Sequence, residues 1–191
     1  MADLRLETDR LILRNWKPDD LARFAAVTNT PAVMRWLGGP MDSAALAAMQ
    51  DRVFASHERH GHCFWLVERK ADGGHLAGEV LGFCGLKRAD APDSTFTGEF
   101  ETGWRLREDA WKHGYAREAA TASLDAAFDR FGAEQVIAIT VIENTGSWGL
   151  MERLGMRRRA DLDYEDARYA PPLRHTLAWS IDRDAWRGRS A

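Results

Sequence analysis

Hydrophobic and polar positions alternate first around Leu11 and Leu13, set between Arg10, Ile12 and Arg14, and this period of two predicts an opening strand. The period then lengthens. Pro18, Asp19 and Asp20 form the acidic first turn of a helix that brings Leu21, Phe24, Ala25 and Thr28 to one face. Thr30-Pro31 restarts a short helix as cap and first residue, ending at Gly38-Gly39, and Asp42 or Ser43 caps another in which Leu46, Met49, Val53, Phe54 and His57 recur before Gly61. Residues 63–69 and 81–86 are β-rich runs separated by Ala71-Asp72-Gly73-Gly74, the pattern of two antiparallel strands. A further strand is predicted over 100–106, with Gly103 marking a bulge or a close backbone approach.

The most regular stripe follows. From Tyr115, Ala116, Ala119, Ala120, Leu124, Ala127, Phe128 and Phe131 share a face, and Gly132 closes the helix at its C′ position. Residues 136–142 are an unbroken run rich in β-branched side chains, which reads as a strand covered on both faces. A short helix over 147–154 stops at Gly155, and 156–162 and 175–181 are expected to pair as terminal strands. The acidic, proline-containing stretch 161–172 reads as a loop and a candidate substrate lid. This order is mixed α/β, with a parallel pair expected around the long helix.

The 191 residues suit one domain, 1–191, and 45% hydrophobic with 29% charged residues is an ordinary globular balance. A net charge of −3 argues against nucleic acid as the main partner, while leaving room for a local basic patch around a phosphate. Arg157-Arg158-Arg159 sits beside Asp161 and Asp163 and reads as a solvated strand face. The two cysteines, Cys63 and Cys84, have apolar neighbours and read as buried reduced thiols. No stretch is long and apolar enough to cross a bilayer and the first ten residues carry alternating charges, so a cytoplasmic protein without a membrane partner is expected. His57, His60, His62 and Cys63 cluster in sequence, but their spacing fits no common zinc pattern, and no metal is expected. A homodimer is compatible with the chain.

Candidate chemistry begins where Trp104-Arg105-Leu106 leads through Trp111-Lys112-His113-Gly114 into the long helix. Unpaired amides and the positive end of a helix can hold a pyrophosphate; Gly114 lets phosphate oxygens approach, Ala116 leaves them room, and Lys112, His113 and Arg117 can add charge. A glycine before a helix is also common punctuation, and by itself the segment divides evenly between the two readings. Downstream, Val141-Ile142-Glu143-Asn144-Thr145-Gly146-Ser147 ends a buried strand in polar side chains, where α/β sheets usually meet ligands.

Trp111-x-x-Gly114-Tyr115-Ala116-x-Glu118 and Glu143-Asn144-x-x-Ser147-x-x-x-Met151-Glu152-Arg153-Leu154-Gly155-Met156 resemble the GCN5-related N-acetyltransferases (GNAT). Glu7-Thr8-Asp9-Arg10-Leu11-Ile12-Leu13-Arg14 and Gly82-Phe83-Cys84-Gly85-Leu86 are similar to the branch containing the ribosomal-protein N-terminal (Rim-type) enzymes, and the resemblance runs from about residue 7 to 181. It implies an α/β (α+β) GNAT fold, with a mixed, mostly antiparallel central sheet, a splayed parallel strand pair and flanking helices. It also implies acetyl-CoA as cosubstrate and a small-molecule or peptide amine as acceptor. Residue by residue, backbone groups of Trp104, Arg105 and Leu106 would pair with pantetheine. Lys112, His113, Gly114, Tyr115, Ala116 and Arg117 would wrap the pyrophosphate, and Asn144 would bond the pantetheine arm. Lys112 stands where the family commonly has glycine. Glu101 is the expected general base, against the alternative of a structural carboxylate paired with arginine. Many relatives carry a tyrosine on the helix after Asn144 to protonate the departing thiolate; here Ser147 is the remaining hydroxyl, as donor or as helix cap, with Tyr164 second. Trp16, Trp36, Trp148 and Tyr164 are expected in the core or, as the less favoured reading, around an acceptor amine. The missing tyrosine and Lys112 also keep open a non-catalytic coenzyme A-binding regulatory module.

Overall fold

The computed structural model describes residues 4–189, and the first three residues of the charged opening stretch lie outside it. It divides into two compact units, the first taking the chain through Lys87 together with Gly103–Ser123, the second Arg88–Thr102 with the chain from Leu124 onward. Among the described residues the strands are mostly antiparallel with one parallel pair.

In the first unit, β1 (Arg5–Glu7), β2 (Leu11–Arg14), β3 (Phe64–Arg69) and β4 (Val80–Arg88) pair in sequence order, and β5 (Phe100–Leu106), which belongs to this unit from Gly103 onward, follows β4. β1 is a strand that periodicity misses, because Arg5 and Glu7 are exposed and pair with each other rather than marking a core face. The helices α1 (Asp20–Thr28), α2 (Pro31–Met34) and α3 (Ser43–His60) come between β2 and β3, with the Thr30 and Asp42 side chains capping α2 and α3. Aromatic packing joins α1 to the sheet: Phe24 meets Trp16 edge-on at 4.9 Å and stacks on Phe83 at 5.4 Å. Asp20 does more than complement a helix dipole. It is buried and takes a two-pronged bond from Arg14, whose other prongs reach Glu68, so one guanidinium ties β2, β3 and α1 together.

Gly82 explains its place in the Gly82–Leu86 motif. Its φ is +143°, and a Cβ there would lie 2.0 Å from the Arg105 carbonyl oxygen, so only glycine lets β4 and β5 approach this closely.

In the second unit, β5 pairs in parallel with β6 (Gln135–Thr140) through Phe100↔Val136 and Glu101↔Ile137. β9 (His175–Asp182) then runs antiparallel along β6, and β7 (Arg157–Arg158) and β8 (Tyr164–Glu165) pair with β9. The strand expected over 156–162 shrinks to two residues. The Asp163 carboxylate accepts the Ala178 N–H at 3.1 Å, taking a bond the ladder would have used, and residues Ala160–Leu162 coil into a 3₁₀ turn. The stretch expected as a lid is partly tied down, since Tyr164 is buried opposite Thr176 and buried Asp166 holds the Arg168 guanidinium.

The long helix α4 (Tyr115–Asp125) also departs from the expected run to Phe131. It changes into a π turn over Ala126–Arg130, which buries Ala126, Ala127 and Phe128 in succession, and Gly132 then takes the left-handed φ of +69°. Helices α5 (Thr145–Arg153) and α6 (Arg183–Arg187) complete the unit. No helix among the described residues is long and apolar enough to cross a membrane.

Candidate functional site

The turn before α4 is shaped by backbone signs that alternate. φ is +64° at Lys112 and +82° at Gly114, while His113 and Tyr115 lie in the ordinary negative range. Alternation of this kind turns successive N–H groups toward one concave side, and the first helical amides add to it because they have no carbonyl one turn back. The departure from glycine at Lys112 therefore does not change the backbone: the lysine adopts the left-handed conformation itself and leaves an exposed ammonium beside the amides.

Two struts hold this turn in place. The Trp111 indole N–H donates to the Leu106 carbonyl at 2.9 Å, binding the turn to the end of β5 and occupying one lone pair of a backbone group expected to serve pantetheine. The second strut is Glu118, one turn into α4. Its carboxylate accepts from the Thr8 hydroxyl at 2.5 Å, the Arg10 amide at 2.8 Å and the Arg10 guanidinium at 2.7 Å. The Arg10 guanidinium also donates to the His113 carbonyl at 3.1 Å and lies 4.6 Å from the centre of the Tyr115 ring. The two motifs quoted separately from the sequence, Glu7–Arg14 and Trp111–Glu118, thus form one clasp. Thr8, Arg10 and Glu118 hold the candidate turn and were not singled out one by one from the sequence; their sign was the motif pair itself.

Burial is the largest influence on Glu118 and pushes its carboxyl up, but the bonds from Thr8 and from the amide and side chain of Arg10 outweigh it and hold the group below the usual carboxylate range. A depressed folded value means that the clasp contributes its full stability above the unfolded carboxylate range and loses it as pH falls through the folded value. Glu118→Gln is expected to lower stability by about 1.5–3 kcal/mol at neutral pH, the range for hydrogen bonds to a charged group. Denaturant melts of both proteins between pH 7 and pH 3 check this: the difference should shrink on the acid side, and a constant difference would count against the charge.

Tyr115 is buried, accepts from the Arg69 side chain at 3.3 Å, and donates to the His75 carbonyl at 3.0 Å. Ala116 is half-buried, and Arg117 and His113 are exposed. In β5, Trp104 and Arg105 are half-buried and Leu106 is buried. The Arg105 guanidinium leaves the strand toward aromatic surface, 4.9 Å from the Phe83 centroid, so any role for this residue toward pantetheine is a backbone one.

In the second unit, Glu101 is 6% exposed, in register with Ile137 on the parallel pair. Tyr164 lies close enough to Glu101 for that carboxylate, with burial and Asp166, to push the phenol up, burial being the largest cause. Asn144 occupies the N-cap position of α5 without capping it; its amide instead donates to the Thr140 hydroxyl at 3.0 Å, turning the side chain back onto the end of β6. The helix begins at Thr145, two residues before the expected start, which places Ser147 inside its first turn and corrects the reading of Ser147 as its cap. Trp148 bonds the Ile142 carbonyl at 3.0 Å, and the nine residues of α5 contain no tyrosine. Trp16 is buried with its indole on the Phe64 carbonyl, Tyr164 is buried in the cluster of Phe96, Ile137 and Ala178, and Trp36 is half-buried beside Arg35.

Two of the clustered histidines make contacts within the first unit. His62 is buried with Nδ1 3.3 Å from the Leu86 carbonyl, His57 meets Asn15, and burial pushes the Cys63 and Cys84 thiols up to about 12. Arg158 and Arg159 are engaged by Asp163 and Asp161.

The acetyltransferase (GNAT) domain model matches residues 10–157, a span that contains Glu101, the 104–106 and 112–117 segments, Asn144 and Ser147. The chain belongs to the GNAT acetyltransferase family. It is similar to the uncharacterized protein YkkB of Bacillus subtilis (strain 168), with 30% identity over 156 residues covering 81% of this chain and 86% of YkkB. It is similar also to the uncharacterized N-acetyltransferase YoaA of the same organism, at 28% over 160 residues, 82% of this chain and 85% of YoaA. Among solved structures, an acetyltransferase from Agrobacterium tumefaciens str. C58 superposes with a TM-score of 0.76 at 23% identity, covering 96% of each chain. A GNAT-family acetyltransferase from Bacillus anthracis gives 0.74 at 19%, covering 95% of this chain and 99% of its own. These two likenesses establish the GNAT fold, with its one parallel pair β5–β6. As a GNAT N-acetyltransferase the protein is an enzyme of acetyl transfer, and its family uses acetyl-CoA.

Proposed function

We propose that this enzyme moves the acetyl group of acetyl-CoA onto a primary amine, of a protein N-terminus or a small molecule, by direct attack of the amine on the thioester. The observation that carries this reading is the clasped turn at 111–118, whose alternating φ signs and opening helix amides suit a diphosphate. The same residues fit coenzyme A chemically: a concave set of amides for the pyrophosphate, Lys112 and Arg117 exposed beside it, and no Cβ at Gly114. Trp104, Arg105 and Leu106 would offer backbone groups to the pantetheine arm and Asn144 its carboxamide. The likeness of residues 7–14 and 82–86 to the Rim-type branch favours a protein N-terminus among the acceptors.

Alkyl ammonium groups titrate near ~10 and a protein α-amine near ~8, so at neutral pH most of either acceptor must lose a proton before its lone pair can attack. Glu101, buried on β5, is the proposed acceptor of that proton, directly or through one water. The new C–N bond forms at the thioester carbon, a backbone N–H near Trp104 supports the oxyanion, and the C–S bond then breaks. The thiolate leaves with a proton relayed through the Ser147 hydroxyl, the proposed donor, which takes in exchange the second proton shed by the attacking nitrogen as the amide forms.

Titration calorimetry with acetyl-CoA, followed by thiol release with a panel of amines, tests the proposal. Heat and thermal stabilisation on binding, with thiol release that needs an amine, are expected. No binding at millimolar acetyl-CoA would overturn it; binding without release on any amine would favour a coenzyme A-binding regulatory module, the reading that the tyrosine-free α5 keeps in play.

A further inference from the structure

The loop between β3 and β4 reaches the α4 turn from outside it. Arg69 pairs with Asp72 at 2.7 Å, Asp72 accepts the Gly74 N–H at 3.0 Å, and the Tyr115 phenol fixes the His75 carbonyl, so the loop backbone is held at three points. This sets the His75 ring against the His113 ring, 4.0 Å between centroids and 13° from parallel, with Tyr115 in nearly the same orientation 6.1 Å from His75. Both imidazoles are exposed. His75 Nδ1 faces the Tyr115 oxygen at 3.5 Å, so Nε2 is the ring nitrogen not engaged there.

Arginine charge nearby is already engaged, Arg10 by Glu118 and Arg69 by Asp72, while Lys112 and Arg117 on the same turn extend to solvent. Among the described residues, the donors left around the turn are two imidazole edges and two exposed cations. Coenzyme A carries, besides the pyrophosphate that the turn's amides suit, a third phosphate on its ribose 3′ oxygen. A phosphate monoester is an anion that accepts from several donors at once, and two ring nitrogens side by side offer it such a set.

We propose that His75 and His113 form a subsite for the 3′-phosphate of coenzyme A, so that a loop distant in sequence from the acetyl-transfer residues selects the fully phosphorylated cosubstrate over its dephosphorylated form. This rests on the acetyl-CoA reading above and deepens it. His75 is the specificity-determining member, because its ring belongs to neither the helix nor the turn that takes the pyrophosphate.

The test is calorimetric titration of the intact protein with coenzyme A and with 3′-dephospho-coenzyme A, for wild type, His75→Ala and His75→Phe. Phenylalanine keeps a ring to stack on His113 and removes the nitrogen donors; both variants keep the backbone carbonyl that Tyr115 bonds. Wild type is expected to prefer coenzyme A by about tenfold or more, the effect of one charge-assisted hydrogen bond. Both variants should bring that ratio close to one while binding the dephosphorylated form as wild type does. Equal affinity of wild type for the two ligands, or a preference that survives in both variants, overturns the subsite and leaves the acetyl-CoA reading standing. Failure of wild type to bind either ligand overturns both.

Discussion

Gly114→Val should cost the protein about 100-fold in acetyl-CoA affinity while leaving it folded. The backbone at Gly114 sits at φ +82°, where a β-branched residue is strained by roughly 1–2 kcal/mol. Its new Cβ would lie 3.3 Å from Arg10 Nη2, the flexible end of a side chain that can yield by a few tenths of an ångström. Strain therefore predicts a modest fall in stability, and the larger loss comes from placing two methyl groups over the amides that suit the diphosphate. Gly132→Val separates the two effects. Gly132 also has a left-handed φ, +69°, with nothing within 4 Å of a built Cβ, so that variant carries comparable backbone strain at a position without a proposed ligand. Calorimetry should show near wild-type affinity for Gly132→Val and the full loss for Gly114→Val. Equal affinities in the two variants would separate the turn from the cosubstrate.

The contrast between these two glycines also marks how far the sequence can be read. Both were legible as helix punctuation, and the strand, glycine turn and helix from Phe100 to Asp125 appear where hydrophobic spacing predicts them. Local pattern could not reveal what each glycine faces, because that depends on segments remote along the chain. Glu118 is the clearest case. A carboxylate in the first turn of a helix is ordinary dipole chemistry, yet its partners Thr8 and Arg10 lie 110 and 108 residues away, and no periodicity connects them. His75 was invisible for the same reason: a histidine in a glycine-rich loop gains meaning only when the loop folds onto His113.

A side chain competing with a backbone ladder accounts for one misplaced boundary. Asp163 takes the Ala178 N–H and ends β7 after two residues, while α4 gives way to a π turn that buries Ala126, Ala127 and Phe128 in succession although the apolar stripe continues to Phe131. The same limit touches the chemistry. Ser147 looked like a cap because serine favours caps, whereas Asn144 holds that position and bonds Thr140 instead. That moves Ser147 into the first turn of α5 and removes the structural duty that competed with its proposed role as a proton donor.

The largest kinetic effect is expected from Glu101→Gln. The substitution preserves the shape of a side chain that is 6% exposed on β5, so its consequence is chemical rather than architectural. If Glu101 takes the proton of the attacking ammonium, removing the carboxylate should slow acetyl transfer by about 10²–10⁴-fold near neutral pH, the usual worth of a positioned base. The deficit should narrow as the pH approaches the ~10 at which an alkyl amine deprotonates unaided, since the base is then needed for a smaller fraction of encounters. Acetyl-CoA affinity should be unchanged, because the pyrophosphate turn and the β5 backbone are untouched. Thiol-release rates at pH 7 and pH 9.5, with calorimetric affinities for both proteins, give the two readouts. A purely structural carboxylate would lose stability and rate by the same factor at each pH. A base loses rate most where the acceptor is charged, and that difference in pH profile assigns the proton transfer to Glu101 or removes it from the mechanism.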